Sequence, residues 1–129
     1  MTAFVLDASA LLALLRAEPG GVRVGSALAE SAMTTVNFAE VVGHYARNGG
    51  HDAEIHAILD PLPISLVPFD DELAYQVGLL RSTTRSAGLS LGDRACLALA
   101  RRLDVPALTA DRAWQAIAAQ LGVRVETIR

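Results

Sequence analysis

Short apolar segments alternate along this chain with longer amphipathic stretches, and this alternation limits the possible folds more than any other feature of the sequence. The apolar segments predict β-strands over residues 3–6, 32–34, 64–67, 105–109 and 123–125. The stretches around them predict helices over residues 8–16, 22–30, 37–47, 51–60, 70–86, 92–102 and 111–121. Strands that alternate with helices favour a parallel sheet with helices on both faces. We therefore expect a three-layer α/β/α fold with a mainly parallel sheet of four or five strands, formed by a single domain over residues 1–129.

The length and hydropathy of the chain agree with one domain that buries its sheet. A chain of 129 residues can bury a full hydrophobic core. Its mean hydropathy of +0.35 is high, which predicts a sheet buried on both faces or an apolar surface used by a partner protein. The longest apolar run, residues 8–15, is too short to span a membrane. The single Cys96 excludes an internal disulfide, so we expect a cytoplasmic protein without membrane contact.

The charged residues of the chain limit the classes of function that it can have. A net charge of −3 argues against a general nucleic-acid coat protein. It does not exclude a nuclease, because a carboxylate cluster makes a domain acidic while arginines at its rim still bind phosphate. All eleven basic residues are arginine, which rules out any mechanism that needs a lysine. The candidates for contacts with a phosphate backbone are Arg16, Arg81, Arg85 and Arg112.

Four acidic residues stand at positions where a parallel sheet would bring them together. Asp7 follows the first predicted strand, and Asp111 follows the strand over residues 105–109. In an open parallel sheet the ligand crevice lies outside the carboxyl ends of the strands, so these two carboxylates are expected to face one crevice. Asp93 lies in the first turn of its predicted helix, and Glu40 lies at the edge of the buried face of another.

Such a group of acids suits a metal site. Several carboxylates at one crevice repel each other, so their convergence predicts a bound cation. Mg²⁺ and Mn²⁺ prefer carboxylate and water oxygens, and they activate water and stabilise the leaving oxygen in phosphodiester hydrolysis. Ser9 and Thr109 each lie two residues from an acid, and Asn37 shares a helix face with Glu40. We expect these three polar residues to support the metal ligands or to position a substrate.

The same acids also allow a purely structural interpretation. Acidic side chains stabilise helix N-termini by capping and through the helix dipole. Residues 90–93 and residues 37–40 each match a capping box, and Asp7 and Asp111 are each placed as an N-cap. His44 is expected at a helix edge rather than on a metal that prefers oxygen. Spacing alone leaves the metal site and the caps as open alternatives.

Four segments resemble the motifs of PIN domains, particularly those of the VapC toxins of bacterial toxin–antitoxin pairs. They are VLDAS at residues 5–9, TTVNFAEVV at 34–42, LSLGDRACLA at 89–98 and LTADRAW at 108–114. The resemblance covers the whole chain in order and places Asp7, Glu40, Asp93 and Asp111 on the acids of the family's metal site. Some family members carry a further acid just beyond the position of Asp111. Gln115 and its neighbours offer none, which leaves a second metal ion open.

This resemblance implies a metal-dependent endoribonuclease that hydrolyses RNA with a metal-activated water and slows growth when free. Its cofactor would be Mg²⁺ or Mn²⁺, held by the four acids, which would be the catalytic residues. A cognate antitoxin would neutralise it by packing along an apolar groove and placing a basic residue at the acidic pocket. The resemblance also implies a homodimer.

Three other functions compete with this interpretation. Aspartyl phosphotransfer domains also place Asp after a first strand, but they use a lysine, and the phosphatase pattern needs a second Asp where this chain has Ser9. A PIN-fold nuclease outside a toxin system would share every motif. A non-enzymatic interaction domain, with its acids serving only as helix caps, is the alternative from another class, and metal binding separates it from a nuclease.

Overall fold

A computed structural model describes all 129 residues, and its strands and helices alternate as the sequence predicts. The strands are β1 (Phe4–Leu6), β2 (Ser31–Thr34), β3 (Ser65–Val67), β4 (Ala107–Thr109) and β5 (Val125–Thr127). The α-helices are α1 (Ala8–Leu15), α2 (Gly21–Ala27), α3 (Thr35–Arg47), α4 (Asp52–Leu59), α5 (Asp71–Thr83), α6 (Leu91–Leu103) and α7 (Gln115–Leu121). Short 3₁₀ turns occupy Leu28–Glu30, Arg85–Ala87 and Arg112–Trp114.

The five strands form one sheet in the order β3-β2-β1-β4-β5, and all four pairings are parallel. This confirms the predicted α/β fold. From the central strand β1 the chain proceeds to β2 and β3 on one side, and then returns to β4 and β5 on the other. The strand order therefore reverses between β1 and β4. In open parallel sheets, ligands bind at this switch point, outside the carboxyl ends of the strands.

Helices cover both faces of the sheet, as the apolar composition predicts. Val5 of β1 belongs to a buried cluster that includes Leu97 of α6 and Trp114. The next residue, Leu6, belongs to the opposite cluster, which includes Leu11 of α1 and Val41 of α3. Because successive strand residues face opposite sides, one short strand contributes to both cores. The structure is thus a three-layer α/β/α sandwich.

Several element boundaries differ from the sequence prediction, and two of them have a clear physical reason. The last strand was expected over residues 123–125, but it begins at Val125, because Val123 fills the core just before the strand. The edge strand instead contains Glu126, whose carboxylate accepts a hydrogen bond of 2.6 Å from Arg23 Nε. The helix expected over residues 70–86 ends at Thr83. There the Thr84 hydroxyl donates to the carbonyl of Leu80 at 2.7 Å, and a 3₁₀ turn follows.

The helices are all short relative to a lipid bilayer. The three longest contain 13 residues each, whereas a membrane-spanning helix needs about 20 apolar residues. No helix of the structure combines the length and the apolar character needed to cross a membrane.

Candidate active site

One cleft at the switch point of the sheet is lined by all four predicted acids. Asp7, Glu40, Asp93 and Asp111 line it together with Ala8, Ser9 and Asn37. Thr109 lies beneath the cleft and is completely buried. His44 is not part of this lining, and its ring packs edge-on against Tyr45 instead. The structure thus brings together acids from the ends of β1 and β4 and from the first halves of α3 and α6.

Asp7 is the most buried of the four acids, with 6% of its surface exposed. Its Oδ1 accepts hydrogen bonds from Ser9 Oγ at 2.7 Å and from the Ala10 amide at 2.9 Å, which makes it the N-cap of α1. Its Oδ2 accepts from Thr109 Oγ1 at 2.6 Å. Burial raises the pKa of the Asp7 carboxyl above its ordinary value near 3.8. The three hydrogen bonds oppose the increase, and the charge of Asp93 adds to it.

The two hydroxyls that bond to Asp7 also connect the loops after β1 and β4. Thr109 Oγ1 accepts from the Asp111 amide at 3.0 Å, and Ser9 Oγ accepts from the Ala110 amide at 3.0 Å. Each hydroxyl therefore donates to a carboxylate and accepts from the backbone of the second loop. This arrangement fixes the backbone of Asp111 relative to the Asp7 side chain, although the two residues are far apart in sequence.

Glu40 is positioned by a second group of hydrogen bonds. Asn37 Nδ2 donates to Glu40 Oε1 at 3.1 Å and to the carbonyl of Gly92 at 2.9 Å. Asn37 is itself buried, and Thr34 Oγ1 donates to its Oδ1 at 2.6 Å. The Glu40 carboxylate lies directly over Gly92, where an added Cβ would stand 2.5 Å from Oε2 and 2.7 Å from Cδ. The Glu40 carboxylate can therefore lie here only because Gly92 has no side chain.

Three of the four acids also cap helices. Asp93 forms the predicted capping box with Ser90, through bonds of 3.0 and 3.1 Å. Asp111 Oδ1 accepts from the Ala113 amide at 2.9 Å. The capping box predicted over residues 37–40 was wrong, because α3 begins two residues earlier with Thr34 as its N-cap. Glu40 therefore lies beyond the first turn of its helix and caps nothing.

The electrostatic environment of the cleft is unfavourable for its own carboxylates. Partial burial raises the pKa of Glu40, the hydrogen bond from Asn37 opposes the increase, and the charges of Asp93 and Asp7 add to it. No arginine or histidine forms an ion pair with any of the four acids. The carboxylates therefore interact repulsively, and nothing in the chain neutralises them. Such a set of oxygen ligands fits a hard divalent cation.

The carboxylates share a cleft but do not close around one point, since no three of them are arranged to hold one ion as they stand. Capping and metal binding are nevertheless compatible. Asp93 uses Oδ2 for its cap and Asp111 uses Oδ1, and each carboxylate oxygen carries two lone pairs.

Two positioning residues escaped the sequence analysis. Thr34 orients Asn37, and Gly92 forms the surface on which Glu40 lies. The sequence carries a signal for the first, since Thr is a favoured N-cap residue. For Gly92 the only signal is a glycine within a helical turn, which gives no indication of the residue packed against it.

The parallel fold and the acidic cleft at its switch point define an α/β domain with a site suited to divalent cations. The model of one protein family, described as the PIN domain, matches residues 4–120. This chain therefore belongs to the PIN domain family. By sequence it matches no curated protein.

Solved structures with the same fold include proteins of toxin–antitoxin systems. VapBC of Salmonella typhimurium, solved bound to DNA, superposes with a TM-score of 0.77 over all of both chains at 14% identity. VapBC-5 of Mycobacterium tuberculosis, a member of the VapBC family of toxin–antitoxin systems, has a TM-score of 0.66 and 26% identity over 100% of this chain and 99% of that one. VapC20 of the same organism, described as a sarcin-ricin loop cleaving toxin, has a TM-score of 0.73 and 18% identity over 88% and 94% of the two chains. The resemblance carried by the four sequence motifs is confirmed.

Proposed function

We propose that this chain is a metal-dependent endoribonuclease and the toxin of a toxin–antitoxin pair. The observation that carries the proposal is one cleft with four carboxylates and no basic partner for any of them. Leaving an acid as buried as Asp7 unpaired is unfavourable unless a cation offsets the charge. Mg²⁺ or Mn²⁺ is the cation that an all-carboxylate ligand set favours. Membership of the PIN domain family supports the same conclusion.

The four acids hold the metal in this proposal, and the bound ion supplies an activated water and neutralises charge on the phosphate. Ser9 and Thr109 hold both oxygens of Asp7 in one orientation, while Asn37 holds one oxygen of Glu40. The caps of Asp93 and Asp111 fix the turns that carry them, and each leaves one oxygen without a hydrogen bond from the backbone. The chain therefore orients its ligands through hydrogen bonds from neutral groups, which add no positive charge that would compete with a cation.

The nuclease is tested with purified protein and total bacterial RNA in Mg²⁺, in Mn²⁺ and in EDTA. We expect cleavage in either metal, none in EDTA, and none by an Asp93→Asn variant that folds like the parent. Attack by water leaves a 5′-phosphate and a 3′-hydroxyl. Cyclic 2′,3′-phosphate ends would mean that the RNA's own 2′-hydroxyl attacks, and the proposed mechanism would be rejected.

The toxin assignment, with a cytoplasmic site of action, a cognate antitoxin and a homodimer, rests on the fold shared with VapBC proteins. A depression between α3 and α4 agrees with a protein partner, since its apolar floor is formed by Phe38, Val42, Ile55 and Leu59 and its polar part by Asp52, His56 and Asp60. Expression of the chain alone is expected to slow bacterial growth, and co-expression of the neighbouring small gene to restore it. Light scattering of the purified chain tests the dimer. Normal growth in cells that contain active nuclease would favour a PIN-fold nuclease outside a toxin system.

A non-enzymatic interaction domain is the second candidate, because Asp7, Asp93 and Asp111 do form capping bonds. Glu40 argues against it, since this residue caps nothing and yet is held among the other acids. Calorimetric titration with Mn²⁺ distinguishes the two functions. Binding that Asp7→Asn abolishes supports the nuclease, and absence of binding supports the interaction domain.

A further inference from the structure

The four arginines that the sequence marked as candidate phosphate contacts have different surroundings in the structure. Arg16 lies 3.4 Å from the carboxylate of Glu18, and Arg112 Nε donates to the carbonyl of Arg129 at 2.9 Å. Arg81 and Arg85 are exposed, and neither forms a hydrogen bond or an ion pair through its side chain. Only the second pair is free to bind an anion.

The position of this pair follows from the packing of α5 against α6. Arg102, near the end of α6, lies 3.1 Å from the carboxylate of Asp70, which caps the start of α5. Arg94, near the start of α6, donates to the carbonyl of Val77 at the middle of α5 at 2.8 Å. The two helices are therefore antiparallel, and the end of α5 lies beside the start of α6. That start carries Asp93, so the unpaired arginines lie at the same end of the α5–α6 pair as this acid.

The surface around the two arginines is concave and contains no acid. Two adjoining depressions share Arg81 and Arg85. One is completed by Gly78, Leu79 and Ser82, and the other by Thr84, Gly88 and Leu89. Arg81 lies in the last turn of α5 and Arg85 begins the 3₁₀ turn that follows, and two like charges that line the same depressions repel each other. An anion bound between them would offset that repulsion.

A third positive charge lies beneath this surface. Arg94 is 6% exposed, no carboxylate pairs with it, and its Nε has no hydrogen-bond partner. The carbonyl that accepts its hydrogen bond belongs to Val77, and the α-helical pattern pairs that same carbonyl with the amide of Arg81. The buried guanidinium therefore stands within about one helical turn of Arg81. Its charge is screened less than those at the surface, so it raises the positive potential where the exposed pair lies.

We infer that Arg81 and Arg85, with Arg94 beneath them, form a phosphate-binding surface that holds the RNA strand beside the acidic cleft. The inference rests on the proposed ribonuclease function, because the surface lies at the same end of α6 as Asp93 of that cleft. A strand whose phosphate enters a pocket of carboxylates must place its neighbouring phosphates on adjacent surface. The planar guanidinium binds phosphate oxygens through two parallel hydrogen bonds, and such contacts are independent of base sequence.

The surface is tested by binding of a fluorescein-labelled single-stranded oligouridylate of twenty nucleotides in EDTA, measured by anisotropy at several salt concentrations. Each phosphate contact to a single strand contributes about 0.7 to the slope of log K against log salt. The R81Q/R85Q double variant is therefore expected to lower the slope by about 1.4 and to weaken binding about 25-fold at 0.1 M salt. The R81K/R85K variant should retain most of the slope, because lysine keeps the charge.

Arg47→Gln is the matched control. Arg47 is exposed and unpaired like the two arginines, but it ends α3, about 10 Å along the helix axis from Glu40. It should leave affinity and slope unchanged. The inference is overturned if R81Q/R85Q binds like the parent, or if it changes only the oligomeric state or only the affinity for the antitoxin. Because the binding assay contains EDTA and no metal, it measures RNA binding independently of RNA cleavage. A slope that falls as predicted in a protein without nuclease activity would reject the proposed function and leave the phosphate surface standing.

Discussion

Gly92 offers the sharpest test of the candidate site, because one added methyl group should separate activity from stability. The carboxylate of Glu40 occupies the space where a Cβ on residue 92 would lie, at 2.5 Å from Oε2. Ordinary contact begins at 3.4 Å, so Gly92→Ala must displace the carboxylate by at least about 0.9 Å. The displaced atoms are the far end of an exposed side chain, which can rotate without disturbing the core.

The size of the effect follows from the tolerance of a metal site. Distances from protein oxygens to Mg²⁺ vary by only about 0.2 Å around their preferred value, so a displacement of about 0.9 Å removes Glu40 from the coordination sphere. Misplacement of a catalytic group by about 1 Å costs about 100-fold in rate. The free energy of unfolding should stay constant or rise, because alanine is the better helix former by at most about 1 kcal/mol.

The assay compares cleavage of total RNA in Mn²⁺ with melting temperature, for the parent, Gly92→Ala and Gly43→Ala. Gly43 lies on the same helix as Glu40, and an added Cβ there meets nothing within 4 Å. We expect Gly43→Ala to cleave normally and Gly92→Ala to lose about 100-fold in activity at an unchanged or higher melting temperature. Full activity in Gly92→Ala would refute the role given to Glu40. Joint loss of fold and activity would refute the claim that its carboxylate can move.

Three further predictions concern Asp7 and Thr109. In EDTA, Asp7→Asn should melt about 4 °C above the parent, since it keeps the cap and removes a buried charge for a net gain of about 1 kcal/mol, with the Thr109 hydroxyl turned to accept from the new amide; a lower melting temperature would contradict this. That difference should depend on pH. The pKa of Asp7 is higher in the folded protein than its ordinary value near 3.8. Protonated Asp7 therefore stabilises the folded parent, fully so below pH 3.8, and this stabilisation is lost as the pH rises through the folded pKa. The gap should therefore be widest near neutral pH and disappear in acid, whereas a constant gap would show that charge is not its cause. Thr109→Val should cost about 1–3 kcal/mol in urea unfolding, because it leaves an Asp7 oxygen and the Asp111 amide without their partner. Thr127→Val is its control, since Thr127 pairs with Thr109 in the sheet and has no side-chain hydrogen bond, and equal effects of the two changes would refute the reasoning.

The sequence predicts this fold well because its signals are local. Each strand is an apolar segment between helices, and the resulting alternation leaves few topologies open. The prediction failed where polarity and strand position disagree, as at Glu126, because an edge strand exposes one face and tolerates charge. It also failed at helix ends such as Thr83, where a 3₁₀ turn continues the helical pattern in the sequence.

The candidate site was only partly predictable. Asp7 and Asp111 were placed together from their positions after two parallel strands. The contact between Glu40 and Gly92 joins two helices 52 residues apart in sequence, and no local pattern encodes it. The same holds for the arginines, since only the structure distinguishes the paired Arg16 from the unpaired Arg81.

Because β1 is the first strand made and lies at the centre of the sheet, the cleft beside it is completed only late in synthesis. Its neighbour β4 and the hydroxyl that bonds to Asp7 arrive 102 residues after that carboxylate. At about 5–20 residues per second, a ribosome extends the chain for about 5–20 s after Asp7 before this partner is synthesised. Throughout that interval the cleft lacks one wall and at least one of its four acids, since Asp111 follows Thr109. The site of the proposed nuclease is therefore incomplete in a nascent chain until synthesis is nearly finished.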